Sequence, residues 1–171
     1  SKDYGQDMLF QFDGKIIVAG YSANFEADDD FALARYDNNG ILDTTFGVNG
    51  KVTRDVSGFD DQLLSATLQA DGKIVVAGRA NSGTQLDFAL MRFNTDGSVD
   101  STLNDSGLVV ISTGATVEIA YKVLVQTDQK IIITGYRAGG ASGYFVMIRF
   151  NSDGSLDSTF GVDGIFLTDF G

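Results

Sequence analysis

Three stretches of the chain repeat one another at a step of 57 residues, and this period limits the possible folds more than any other feature. Phe31, Phe88 and Phe145 lie 57 apart, as do Arg35, Arg92 and Arg149, and Gly50, Gly107 and Gly164. The string Asp-Gly-Ser-[Val/Leu]-Asp-Ser-Thr runs from Asp96 to Thr102 and from Asp153 to Thr159, with a looser copy from Asn39 to Thr45. The 171 residues are three such units. A period near 50 residues belongs to solenoids, propellers and arrays, in which each unit has an apolar face that only a neighbour covers.

The middle unit shows the parts most clearly. Leu63 to Gln69 is a short apolar segment, and Ala70-Asp71-Gly72-Lys73 is a tight-turn signal between antiparallel strands. Ile74 to Gly78 is β-branched and apolar at successive positions, so the strand it predicts must be covered on both faces. A polar loop over Arg79 to Asp87, a strand over Phe88 to Phe93 and a last strand over Leu108 to Ile111 complete the unit. No segment has a 3.6-residue period, which predicts no helix. The expected fold is all-β: three four-stranded antiparallel propeller blades, part of a larger propeller or completed by oligomerisation. One repeat domain spans 1–171, with blades at about 5–57, 58–114 and 115–171. The Phe of Asp-x-Thr-Phe-Gly-x-x-Gly, Phe46 or Phe160, is expected to plug the gap between blades, with Leu103 replacing it in the middle unit.

The motif strings are distinctive. Asp-Gly-Lys-Ile-[Ile/Val]-Val-Ala-Gly, Phe-Ala-Leu-x-Arg-[Tyr/Phe] and Asp-Gly-Ser-[Leu/Val]-Asp-x-Thr-Phe-Gly resemble the bacterial delta-60 repeat family over all three units, the last unit keeping less of the first string. The resemblance implies β-propeller-like repeats of large secreted or surface-attached bacterial proteins, without an established catalytic activity. It alone implies a secreted or cell-surface location.

Composition narrows the chemistry. With no Cys, His, Trp or Pro, the chain can build neither disulfides, nor the usual zinc sites, nor a Ser-His or Cys-His hydrolase centre. A net charge of −11 disfavours nucleic acid and anionic membrane surfaces as partners. No run approaches the ~20 apolar residues that cross a bilayer, so membrane insertion is not expected. The chain starts at Ser1 without an initiator Met or a signal-peptide pattern, as expected of a processed product or an excised part of something larger.

Recurring residues are expected to serve the fold. Each of Arg35, Arg92 and Arg149 is expected to pair with a carboxylate such as Asp43, Asp100 or Asp157, in preference to forming an anion site. The Asp-Gly turns space oxygen ligands as calcium loops do, which makes Asp96, Asp100, Asp153 and Asp157 weak calcium candidates. No unit has Glu at the twelfth position, and Asx-Gly turns need no metal, so no metal or cofactor is expected.

Function is expected where the copies disagree. The loop joining the second and third strands and the inter-blade loops share one face and carry the variable residues. Tyr21, Phe25, Asp28, Asp29, Asp30, Arg79, Tyr136, Arg137 and Tyr144 are the candidate ligand-binding residues, with Asp55, Asp60 and Asp61 nearby and a second inter-blade loop at Thr113 to Glu118. Aromatics beside carboxylates suit sugars or a cationic peptide; solvated loops that keep an acidic protein soluble are the plain alternative. The leading expectation is a non-catalytic structural or interaction module binding a surface protein or glycan. A lectin-like carbohydrate binder and a carboxylate-dependent glycosidase or lyase are the alternatives, and no catalytic pair is assigned.

Three blades cannot close a ring. The outer faces are expected to be apolar and open, and the step from Lys130 through Gly171 and on from Ser1 to Lys15 is 56 residues, in phase with the repeat. Further blades of the same chain, favoured by the missing initiator Met, or a second copy making a six-bladed ring would cover them.

Overall fold

In a computed structural model describing residues 2–23, 28–139 and 142–171, the chain forms three four-stranded antiparallel sheets. The first comprises β1 (Asp3–Phe10), β2 (Ile16–Ala23), β3 (Asp29–Tyr36) and β4 (Lys51–Arg54). The second comprises β5 (Gln62–Leu68), β6 (Ile74–Asn81), β7 (Leu86–Phe93) and β8 (Leu108–Ile111). The third comprises β9 (Glu118–Val125), β10 (Ile131–Gly139), β11 (Ser142–Phe150) and β12 (Ile165–Thr168). Spatial order follows chain order in each, so every unit is one meander, and none of the described residues is helical.

Period-two alternation along the middle blade explains why both of its faces are apolar. Ile74, Val76, Ala89, Met91 and Phe93 join the first blade in one core. Val75, Ala77, Phe88 and Leu90 join the third in another. Between blades, Phe46 and Leu103 are fully buried, and the space beside them ends at the turn glycines Gly97 and Gly154 of the following blade. These are the plugs that the sequence suggested. The first strands converge on one line: Asp7 of β1 accepts from the Ser65 hydroxyl at 3.0 Å, the Ala66 amide at 3.0 Å and the Lys122 ammonium at 3.1 Å. That line is the propeller axis.

One glycine per blade is compulsory. The first strand of each blade carries a bulge, with Gln6, Leu64 and Tyr121 as the extra residues. Opposite sit Gly20, Gly78 and Gly135, where a Cβ would collide with the carbonyl oxygens of Tyr4, Gln62 and Ile119. The glycine that closes each apolar run is therefore there to let two backbones approach. Where the middle unit replaces a glycine with Asn104, the backbone keeps a φ of 50°, close to the 52° of Gly47 and 58° of Gly161. Asn tolerates this left-handed region better than other side chains.

The expected polar loop over Arg79 to Asp87 is mostly strand. Arg79, Ala80 and Asn81 pair with Phe88, Asp87 and Leu86, so the hairpin ends only at residues 82–85. Alternation accounts for the difference: Ala80 and Asp87 turn inward and are buried, which a reading of the segment as merely polar overlooks. Gly78→Ala is expected to cost about 1–3 kcal/mol by overpacking, and Phe46→Ala about 3–5 kcal/mol by opening a cavity between blades. Urea unfolding midpoints check both, and an unchanged midpoint would refute the corresponding role.

Candidate functional site

The recurring arginines sit at the rim that carries the Asp-Gly turns, and the donors of Arg35 and Arg92 are spent on the fold. Arg35 Nε pairs with Asp43 Oδ2 at 3.0 Å. Its Nη1 donates to Gln11 Oε1 at 3.2 Å and crosses to the Thr95 carbonyl of the second blade at 2.6 Å, while Nη2 reaches Thr45 Oγ1 at 3.1 Å. Arg92 repeats the pattern one blade later, with Asp100 at 2.6 Å, Gln69 Oε1 at 3.3 Å, the Ser152 carbonyl of the third blade at 2.7 Å and Thr102 at 2.9 Å. Lys15, Lys73 and Lys130 add a second cation to the three aspartates, at 3.2, 2.9 and 2.8 Å. At Arg35 and Arg92 an anion would have to displace a buried bond network.

These contacts hold the carboxyls well below their ordinary range. For Asp43 the leading cause is the pair of bonds from Thr45, and for Asp157 the bond from Lys130. Burial opposes ionisation of Asp100, but bonds from Lys73, Thr102 and Arg92 outweigh it. A carboxyl lowered on folding adds stability that is complete above its unfolded value of about 4 and is lost as pH falls below that. Asp100→Asn is expected to be less stable than the parent at pH 7, with the gap narrowing below about pH 4. Urea titrations across the acid range check this, and a gap independent of pH would contradict it.

The calcium candidates are engaged within their own turns. Asp96 Oδ1 accepts the Ser98 amide at 2.9 Å and hydroxyl at 2.7 Å, and Asp153 does the same with Ser155 at 2.9 and 2.6 Å. Asp100 and Asp157 turn to arginine, lysine and threonine. Among the described residues, no three acidic side chains are grouped to hold a metal ion. Thermal unfolding is accordingly expected to have the same midpoint in millimolar calcium and in chelator; a rise with calcium would restore these turns as a site.

The opposite rim carries the variable residues, and here the expected placement needs correction. Tyr21 lies on β2, Arg79 on β6, and Tyr136 and Arg137 on β10; Asp29 and Asp30 lie on β3 and Tyr144 on β11. They are strand-end residues rather than loop residues, because the hairpins extend to the rim. Asp28 directly precedes β3, and Phe25 lies outside the described residues. Tyr21 stacks on Tyr4 with ring centroids 4.9 Å apart. The Arg137 guanidinium lies 5.9 Å from the Tyr144 ring centre and donates to the Thr113 carbonyl at 2.9 Å. Asp29 accepts from Gln62 Nε2 at 2.9 Å, and its amide donates to Asp60 at 3.0 Å. The structure thus brings Tyr21 together with Tyr4 on the first blade, and Arg137 with Tyr144 on the third.

Two acids tie down the inter-blade loops. Asp61 is fully buried and accepts from the Val56, Ser57 and Asn81 amides at 2.8, 2.9 and 2.9 Å and from the Ser57 hydroxyl at 2.5 Å. Glu118, also fully buried, accepts from the Thr113 amide and hydroxyl and from the Ala115 amide. These are one repeat position, 57 residues apart, disguised by the change from Asp to Glu. Their spacing was the available signal; their residue types made them look like two more members of an acidic surface.

Three meanders joined by inter-blade cores and sharing an axis define the β-propeller class. Residues 11–46, 69–103 and 126–160 each match the beta-propeller family described as domain of unknown function (DUF5122), and the chain belongs to that family. Among solved structures it is similar to a fucose lectin from Kordia zhangzhouensis in complex with methyl-fucoside, at 12% identity over 95% of this chain and 96% of that one, with a TM-score of 0.48. No curated protein matches the sequence.

Proposed function

We propose that this propeller is a non-catalytic interaction module of a bacterial extracellular or surface protein, and that it binds through the rim carrying the ends of the β2–β3, β6–β7 and β10–β11 hairpins. The observation behind this reading is the contrast between the two rims. One repeats the same Arg, Lys, Asp and Thr contacts blade after blade, whereas the other places Tyr21, Arg79 and Tyr136 at a single repeat position. Buried Asp61 and Glu118 stiffen the loops between those variable side chains. A rigid scaffold with unlike side chains at its rim is how binding surfaces are built on repeat folds. The motif strings support the finer reading that the repeats are of the delta-60 type, and with it an extracellular location. The reading requires no cofactor.

A lectin-like role is the second reading, favoured by the Tyr4–Tyr21 stack beside acidic neighbours, since aromatic faces with polar partners suit sugar rings. Arg79 puts a cation at the same repeat position on the second blade, and its Nε has no hydrogen-bond partner among the described residues. The test is a glycan array and a panel of lysine-rich peptides probed with the parent and with Tyr21→Ala, Arg79→Ala and Tyr136→Ala. Each variant is expected to keep the parent's circular dichroism and to bind at least about tenfold more weakly, roughly 1.4 kcal/mol. Undiminished binding by all three would reject this rim; hits confined to peptides would reject the lectin reading.

A further inference from the structure

We infer that the two outer faces of the three-blade unit are halves of one interface, and that a second copy of this chain joins them head to tail into a closed ring of six blades. The contact between neighbouring blades occurs twice within the chain, and each of its parts recurs unpaired at the ends. Phe145 is 64% exposed, although its counterparts Phe31 and Phe88 are 0% and 1% exposed. Met147 and Phe166 are also exposed where Leu90 and Val109 are buried. On the first blade Ile16, Val18 and Tyr36 are only half-buried, whereas Ile74, Val76 and Phe93 are buried by the blade before them. Apolar area on this scale calls for a partner.

The polar parts match as well. Phe160, counterpart of the buried plugs Phe46 and Leu103, is only part-covered. Gly40, counterpart of the plugged Gly97 and Gly154, has no atom within 4 Å of where a Cβ would stand. Arg149 keeps its bond to Asp157, but among the described residues no carbonyl takes the place of Thr95 or Ser152, and the buried Gln126 Oε1 has no hydrogen-bond partner. By repeat position, the missing acceptor is the Asn38 carbonyl of a second copy. Asp3, counterpart of the buried Asp61 and Glu118, is exposed, and the amides that would occupy it are those of Phe170 and Gly171 in a second copy. Both halves of the apolar, plug and Arg-to-carbonyl contacts are therefore present in one sequence.

Closure fixes the number of copies. A head-to-tail contact forms a ring only if its rotation closes, and otherwise it forms filaments. Propellers close with about four to eight blades, and the multiple of three in that range is six.

Sedimentation equilibrium of the 171-residue chain is expected to show one species of twice the 18.2 kDa chain mass, unchanged over a wide range of concentration. Phe160→Asp removes the plug, and Gly40→Asn fills the slot with a side chain that tolerates its φ of +78°. Each variant is expected to run as a folded monomer by circular dichroism where the parent is a dimer. A parent that stays monomeric, or whose mass keeps growing with concentration, would overturn the closed ring. So would a dimer that survives either variant, since a symmetric contact between like faces needs only one of the two sites. The parent's mass decides the question even if a variant unfolds.

Discussion

A sheet that is apolar on both faces cannot stand as a free layer in water, so each blade depends on the blade beside it. Val75 and Val76 are both fully buried, one against each neighbour. Burial alone would allow the blades to slide, because the hydrophobic effect has no direction. The arginines supply the direction. Arg35 is anchored to Asp43 in its own blade and reaches a single carbonyl, Thr95, in the next. A guanidinium taken out of water must have its donors met, so this bond forms at one angular setting between blades and is strained or broken at others.

The same arrangement explains why the two rims of the propeller differ in what they tolerate. At the rim with the Asp-Gly turns, an exchange at Arg, Asp or Thr leaves a buried charge without its partner. At the opposite rim the blade-to-blade loops are fastened by one carboxylate each, Asp61 or Glu118, accepting amides from the loop backbone. Backbone amides are the same whatever the side chains are. The loops are thus held whatever their side chains are, and on the strand ends beside them Tyr21, Arg79 and Tyr136 differ at one repeat position.

The blades, their strand order and the Arg–Asp pairing were legible because they repeat, and repetition turns three weak signals into one strong one. The glycines at 20, 78 and 135 were visible in every copy, but their reason was not, since the bulge that presses a carbonyl against them comes from a different strand. Strand ends were misjudged at Arg79 to Asp87 because a twisted hairpin alternates burial along a segment that is polar on average. The loop-fastening acids were hidden by the opposite problem: in an acidic chain a buried carboxylate and a solvated one are spelled the same way.

Repetition also has to fail somewhere, and the axis shows where. Asp7, Ser65 and Lys122 occupy one repeat position on the three first strands, which converge. Three identical aspartates there would bring like charges together, and three lysines would do the same. Instead Asp7 accepts from Ser65 and Lys122, and Ser65 in turn accepts from the Val123 amide at 3.3 Å. Acceptor, relay and donor can be arranged in a ring only in a definite order, so the divergence of the copies at this point distinguishes the blades from one another. A strictly threefold sequence with Asp or Lys at this position would have fitted the blade interfaces equally well and would have been electrostatically frustrated at the centre.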